Sequence, residues 1–244
     1  MQKVKLICFP YAGGSSVIFS KWRRYLDRDI ELMAVELAGR GRRMNDALYK
    51  SFGDVIDDVF KLAYETVEDG RYVLFGHSFG ATIAYELAHK IAAKNLPVPG
   101  HVFLSGRGAP HIRRGDEKQY HLMDADQFKK EVLKLGGTPP EFFEYPDLLE
   151  LFLPLLKNDF MLAEAGRSYD VVRPLPTNIT VFQGKDDDLI PEQCDGWKRH
   201  TTGICNLHYF EGGHFFLHDH AEAMVTIINN ITREALAAKR LSVF

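Results

Sequence analysis

Apolar residues along the chain fall into two alternating patterns. Short, nearly continuous apolar runs occur at Leu6 to Phe9, Leu32 to Leu37, Tyr72 to Phe75, Val102 to Leu104, Ile179 to Phe182 and Leu207 to Phe210. Runs of this length are what strands covered on both faces require, as in a parallel sheet. Between them the period lengthens. Ile83, Ala84, Leu87, Ala88 and Ile91 share one face of a helix, and Ala221 to Ala238 predicts another. Strands alternating with helices predict an α/β fold built on a mostly parallel, doubly wound sheet.

One segment breaks the alternation. The chain between Ser105 and Ile179 is far longer than a single crossover helix needs. Within it, Asp124 to Leu135 predicts a short amphipathic helix ended by Gly136-Gly137. Pro139-Pro140 predicts a turn, and Leu148 to Leu156 is a further apolar patch. We read residues 111–172 as an inserted helical lid over the carboxyl edge of the sheet, with 1–110 and 173–244 forming the core. A pair of ordinary packing helices gives the same pattern.

Composition narrows the class without changing this picture. The chain has 244 residues, 45% hydrophobic and 26% charged, which is ordinary globular usage with enough length for a sizeable core. A net charge of −3 argues against a nucleic-acid or anionic-membrane binder. No apolar run is long enough to span a bilayer. Met1 to Pro10 reads as a buried strand rather than a signal peptide. Cys8, Cys194 and Cys205 form no disulfide or metal spacing and are expected as reduced thiols in a cytoplasm. In that setting the sequons at Asn178 and Asn230 are chance matches.

Chemistry enters at Gly76-His77-Ser78-Phe79-Gly80, a G-x-S-x-G sequence. The pattern alone is common. Here it directly follows an apolar strand and precedes a helix, the setting in which a strained turn lifts a serine hydroxyl above the sheet. Flanking glycines remove the side chains that would clash there. The plain alternative is a serine that caps a helix on a glycine-rich turn. A serine hydroxyl is a poor nucleophile until a base takes its proton, so a histidine and a carboxylate are expected downstream, each after a strand. His214 follows the last strand within Glu211-Gly212-Gly213-His214. Asp186, Asp187 and Asp188 follow the strand from Ile179. The order Ser, Asp, His is that of the α/β-hydrolases, and chemistry alone leaves the choice among the three aspartates open. His218-Asp219-His220 matches no common zinc spacing, so no metal is expected. An oxyanion hole needs backbone donors from the residue after the serine, Phe79, and from the loop after the first strand, Phe9 to Ser15.

Phe9-Pro10-Tyr11-Ala12-Gly13-Gly14, Gly76-His77-Ser78-Phe79-Gly80 and Gly212-Gly213-His214-Phe215-Phe216 together resemble the type II thioesterases, the stand-alone editing enzymes of nonribosomal peptide and polyketide synthesis. Gly39-Arg40-Gly41-Arg42, the stretch from Asp126 through Pro139, and Trp197 extend the resemblance over nearly the whole chain. It implies the α/β-hydrolase fold with a mobile lid at 111–172. It places the nucleophile at Ser78 and the base at His214, and it selects Asp187 as the acid. The oxyanion donors fall on the backbone of Ala12 and Phe79. The implied reaction is hydrolysis of acyl or aminoacyl thioesters on the phosphopantetheine arm of carrier proteins, with no cofactor of the enzyme's own, by a cytoplasmic monomer. Phe128, Leu133, Leu151, Phe152 and Leu155 line the acyl path or pack within the lid, the commoner role for such residues. Arg40, Arg42 and Arg43 form a basic loop facing either solvent or a phosphate or acidic carrier surface. An esterase or acyltransferase on the same fold, and a non-catalytic carrier-docking module, are the competing readings.

Overall fold

The computed structural model of the chain describes residues 3–112, 118–137, 145–165 and 172–241. Six strands form a single sheet: β1 (Val4–Phe9), β2 (Ile30–Ala34), β3 (Tyr72–His77), β4 (Val102–Ser105), β5 (Ile179–Gly184) and β6 (Cys205–Phe210). Their spatial order is β2-β1-β3-β4-β5-β6, and every neighbouring pair is parallel. The helices are α1 (Phe52–Asp69), α2 (Phe79–Ala93), α3 (Ala125–Leu135), α4 (Pro146–Ala165), α5 (Pro191–Asp195) and α6 (Ala221–Leu241). None of the described helices is long and apolar enough to cross a membrane.

The continuous apolar runs are explained by two cores, one on each side of the sheet. Ile7, Phe9, Leu74, Val102, Leu104, Ile179 and Val181 point to one side, where Val55 and Val59 of α1 and Ile83, Leu87 and Ile91 of α2 cover them. Their neighbours Leu6, Cys8, Val73, Phe75, Phe103 and Phe182 point to the other, against Phe19, Trp22 and the α6 residues Met224, Val225 and Ile228. Side chains alternate across a strand, so a strand buried on both faces must be apolar at every position. The run at Leu32 to Leu37 outlasts its strand. Val35 N–H still donates to the Cys8 carbonyl at 2.9 Å, but Val35, Leu37 and Ala38 then enter the first core without a strand partner.

The segment between β4 and β5 supplies α3 and α4. Asp124 caps α3 by accepting the Gln127 N–H at 2.8 Å, and Gly136 ends it in the left-handed region at φ +84°. The expected turn at Pro139-Pro140 lies outside the described residues. The apolar patch at Leu148 to Leu156 becomes part of one long helix, with Pro154 inside it. Leu162 and Ala163 of α4 belong to the same core as α1 and α2. Because all six strands run parallel, the loops leaving β1, β3, β5 and β6 gather at one edge of the sheet. That edge is where α/β folds place their sites.

Candidate active site

Ser78 sits between β3 and α2 at φ 54° and ψ −112°, a left-handed conformation that a residue with a side chain adopts only under constraint. The constraint is backbone packing. A Cβ on Gly76 would lie 1.9 Å from the Gly80 carbonyl oxygen, and one on Gly80 would lie 2.1 Å from the Phe9 carbonyl oxygen. Neither position admits a side chain. The Ser78 N–H is tied to the Ser105 carbonyl at 2.7 Å. The Ser78 hydroxyl makes no capping bond to α2. Its Oγ instead lies 2.9 Å from Nε2 of His214.

His214 and Asp187, the expected base and acid, are brought together by two loops packed backbone to backbone. A Cβ on Gly184 would lie 2.5 Å from the Gly213 carbonyl, and Gly212 takes φ +99°. Asp186 N–H donates to the Gly212 carbonyl at 3.0 Å, and Lys185 N–H to the Phe210 carbonyl at 2.8 Å. His214 Nδ1 lies 2.9 Å from Oδ2 of Asp187. Of the three aspartates, Asp187 is the one bonded to His214 and the least exposed; Asp186 and Asp188 are exposed. Burial works to raise the Asp187 carboxyl, but it is outweighed. The hydrogen bond and charge of His214, the Gln183 amide at 2.9 Å and the Asp188 N–H at 2.8 Å leave the carboxyl below its ordinary value.

Gln183 and His77 were not singled out in the sequence. Gln183 is the strand residue four positions before Asp187, and its amide fixes the carboxylate. His77 is fully buried, its ring 5.2 Å from that of His214, and its Nδ1 meets the Ser105 hydroxyl at 2.8 Å. Burial first, and then the charge on His214, hold its imidazole well below the usual histidine value, so it stays neutral under the base. A position inside the serine pentapeptide was the available signal for it.

A cavity of about 360 Å³ opens onto the serine, with Tyr11, Ala12, Phe79, Asp187 and His214 among its walls. Ser78 and Phe79, at the start of α2, line this space, so the positive end of the helix dipole lies beside it, which favours developing negative charge. From the 111–172 segment, Tyr120, Leu135, Phe160, Ala163 and Glu164 reach the cavity. Phe128 is instead fully buried against Val132 and Leu156, with Leu133 and Phe152 in the same cluster. Leu155 is buried too. The Leu151 side chain lies outside the described residues. The end of α3 meets the site directly: a Cβ on Gly137 would fall 2.1 Å from the ring of Phe215, next to His214.

The basic loop is not one cluster. Arg40 is only 4% exposed and is paired with Asp159 of α4, so it is not available to a phosphate. Arg43 is bonded to Asp58 at 2.6 Å and to Asp46 at 2.7 Å. Arg42 alone faces solvent. His218 and His220 point to different partners, the Tyr11 hydroxyl and the Glu211 carbonyl.

The geometry is that of an acyl-transferring serine hydrolase: nucleophile, base and acid in one hydrogen-bonded line, with helix N–H groups beside the hydroxyl. Comparison with known proteins agrees. The model of the thioesterase domain matches residues 4–232. A Brevibacillus parabrevis protein named linear gramicidin dehydrogenase LgrE is 33% identical, over 98% of this chain and 91% of its own length. The dehydrogenase in that name is said of that protein; the present chain carries the hydrolase line described above. The crystal structure of ClbQ, from the colibactin NRPS/PKS pathway, matches with a TM-score of 0.89 at 32% identity, covering 97% of this chain and 100% of that one. The type II thioesterase BorB from the borrelidin biosynthetic cluster matches with a TM-score of 0.83 at 29% identity, covering 94% of this chain and 93% of that one. On the matched domain, and with neighbours of this kind, the chain belongs to the thioesterase family and is a thioester hydrolase of the type II group.

Proposed function

We propose that the chain clears acyl and aminoacyl groups from the phosphopantetheine arm of carrier domains in a nonribosomal peptide or polyketide synthase, through an acyl-Ser78 intermediate. The observation that carries this reading is the continuous line from Ser78 Oγ through His214 to Asp187, opening on the cavity. His214 Nε2 takes the hydroxyl proton as Ser78 Oγ attacks the thioester carbonyl. The oxyanion is received by the N–H groups of Phe79 and Ala12. The carbon–sulfur bond breaks, the pantetheine sulfur leaves with the proton from His214, and acyl-Ser78 remains. A water then gives its proton to His214 and attacks the ester. Ser78 recovers the proton, and the free acid departs. Asp187 holds the imidazole in the productive tautomer and stabilises its charged form. Residues 111–172 act as the lid under which the arm enters. The enzyme works as a cytoplasmic monomer, and its partners are the carrier domains; phosphopantetheine belongs to the substrate.

Neighbours whose names place them in NRPS/PKS and borrelidin biosynthesis support this substrate class. The test is mass spectrometry of a panel of acyl-loaded carrier proteins, before and after treatment with wild type and with Ser78→Ala. Wild type should return free carrier and acid, and Ser78→Ala should lose turnover by about 10⁶-fold while still folding. Near-normal release by Ser78→Ala would sink the assignment.

A further inference from the structure

The turn that carries Ala12 is held from behind by a buried ion pair between Arg40 and Asp159 of α4. Gly14 N–H donates to the Tyr11 carbonyl at 2.9 Å, closing a turn over Tyr11–Gly14, with Gly13 at φ +75°. The Tyr11 carbonyl and the Ala12 N–H share one planar peptide and point in opposite directions. Turning that carbonyl into the turn therefore aims the Ala12 N–H out of it, and Ala12 is one of the residues that line the cavity. The next peptide, between Ala12 and Gly13, is the one that flips when a turn changes type. Here it cannot flip freely, because the Gly13 N–H donates to Oδ2 of Asp159 at 2.7 Å.

Asp159 is itself fixed. It is fully buried on α4, and Arg40 meets it with two parallel bonds, Nη1 to Oδ2 at 2.6 Å and Nη2 to Oδ1 at 2.8 Å. Arg40 Nη1 also donates to the Gly14 carbonyl at 3.2 Å, and its Nε to the Ala38 carbonyl at 3.3 Å. Leu156 and Phe152 of α4 close against Gly13, where a Cβ would lie 2.6 Å and 2.8 Å from them. Four successive peptide units are thus pinned: the first and third by the turn's own bond, the second by Asp159 and the fourth by Arg40. A turn containing Gly13-Gly14 has the conformational freedom to lose its shape without such pins.

We propose that Asp159 is a positioning residue for the oxyanion hole, anchored by Arg40, so that the seating of α4 on the Tyr11–Gly14 turn sets the aim of the Ala12 N–H. This rests on the reading of Ala12 as an oxyanion donor. It makes α4 part of the machinery that orients the transition state as well as part of the cover.

The test separates aim from stability. Asp159→Leu combined with Arg40→Met removes both charges together while keeping side-chain bulk, a replacement that buried pairs often tolerate. Asp159→Glu keeps the charge but moves the carboxylate out of register with the Gly13 N–H. Each variant is assayed at a temperature where circular dichroism shows it folded. The readouts are kcat and KM on a small acyl thioester, and the Ki of a boronic acid whose tetrahedral adduct on Ser78 places an oxygen in the oxyanion hole. Loss of one oxyanion donor sets the scale, so kcat should fall by about 10²-fold with KM nearly unchanged, and the boronate should weaken in parallel. A folded double variant that keeps wild-type kcat, or a fall in kcat with boronate affinity unchanged, overturns the proposal. If the double variant does not fold, Asp159→Glu is judged by the same two outcomes. Ser78→Ala runs beside them: turnover surviving there would remove the underlying reading, whereas a dead Ser78→Ala beside normal Asp159 variants would remove this inference alone.

Discussion

The serine elbow and the Ala12 turn face each other across one cavity, and they are held by opposite means. The elbow is fixed by backbone. Gly76 and Gly80 stand within two residues of Ser78, and what they exclude is backbone: the Gly80 carbonyl in one case, the Phe9 carbonyl in the other. The turn is fixed from afar. Its pins come from Arg40 and from Asp159, which lies 146 residues further along the chain from Gly13, and the atoms crowding Gly13 are the tips of Leu156 and Phe152. Backbone crowding cannot relax, whereas side-chain crowding can. Of the two proposed oxyanion donors, the one at Phe79 would therefore be built in, and the one at Ala12 would depend on a distant helix being in place.

The largest expected effect is on the elbow's own chemistry. In Asp187→Asn the amide can donate to His214 Nδ1, which moves the ring proton to Nε2 and leaves no lone pair for the Ser78 hydroxyl. Turnover of an acyl thioester should fall by about 10⁴-fold in a protein that circular dichroism shows folded. A loss of only a few-fold would mean that Asp187 is not what orients the base.

Next come the two glycines that define the contrast. Gly80→Ala puts a Cβ against the Phe9 backbone, and a loss of more than about 4 kcal/mol is expected in urea unfolding, enough to prevent folding outright. Gly13→Ala also meets short distances, but the atoms met are side-chain ends and the strain is chiefly the positive φ, so about 1–3 kcal/mol is expected. Equal losses at the two positions would erase the distinction between a site held by backbone and one held by side chains.

That distinction also explains what the sequence made legible. The elbow announces itself because its serine and both crowding glycines lie within a pentapeptide after an apolar strand, even though Phe9 and Ser105 supply part of the backbone that holds it. His214 and Asp187 are similar: each follows a strand, and glycines beside them permit the tight loops. The inner strands β3, β4 and β5 were readable because they are buried at every position, which keeps their runs nearly continuously apolar, whereas the edge strands β2 and β6 expose Glu31, Asn206 and Tyr209. Arg40 was readable only as a charge. Its partner, Asp159, sits on α4 just beyond the apolar patch at Leu148 to Leu156, and no local pattern tells a buried arginine from a solvated one. The same holds for Phe160 and Glu164, which reach the cavity where Phe128 and Leu133 were the apolar candidates. Pairings across more than a hundred residues are set by tertiary packing, and periodicity carries no trace of them.

Acid should act on the elbow's side of the molecule. His101 joins β4 to β5 through the Thr180 hydroxyl at 2.8 Å, and His200 meets the hydroxyl of Tyr85, on the elbow helix α2, at 2.6 Å. Burial holds both at about 4, with the charge of His111 adding to the effect at His200. A histidine depressed in the folded state binds its proton first in the unfolded chain. Its stabilising share is therefore complete above the ordinary histidine value of about 6.5 and is lost as pH falls toward 4. Over that window each should cost about 1.4 kcal/mol per pH unit, read as falling urea midpoints. Asp187, depressed in the carboxylate range, adds its own loss only at lower pH. His101→Gln should remove one proton's worth of slope; an unchanged slope would show that His101 does not take part.

The smallest effect is expected at Arg42, and it tests the contrast from the other side. Arg40, Arg42 and Arg43 crowd one short loop, yet the first is buried on Asp159, the third is bonded to Asp58 and Asp46, and Arg42 alone faces solvent. Charge at an exposed position contributes little to stability, so Arg42→Glu should shift unfolding by no more than about 0.5 kcal/mol. It touches neither the elbow nor the pins of the Ala12 turn, so hydrolysis of a small acyl thioester should be unchanged. A charge displayed on the surface can still steer an oppositely charged partner, and that contribution weakens with salt. Comparing carrier-bound with small thioesters at low and high salt isolates it. A selective loss on the carrier substrate at low salt would assign Arg42 to encounter with the carrier. An equal loss on both substrates would mean that the loop bearing Arg40 transmits surface changes to the oxyanion turn, and the turn would then be far less firmly pinned than its hydrogen bonds indicate.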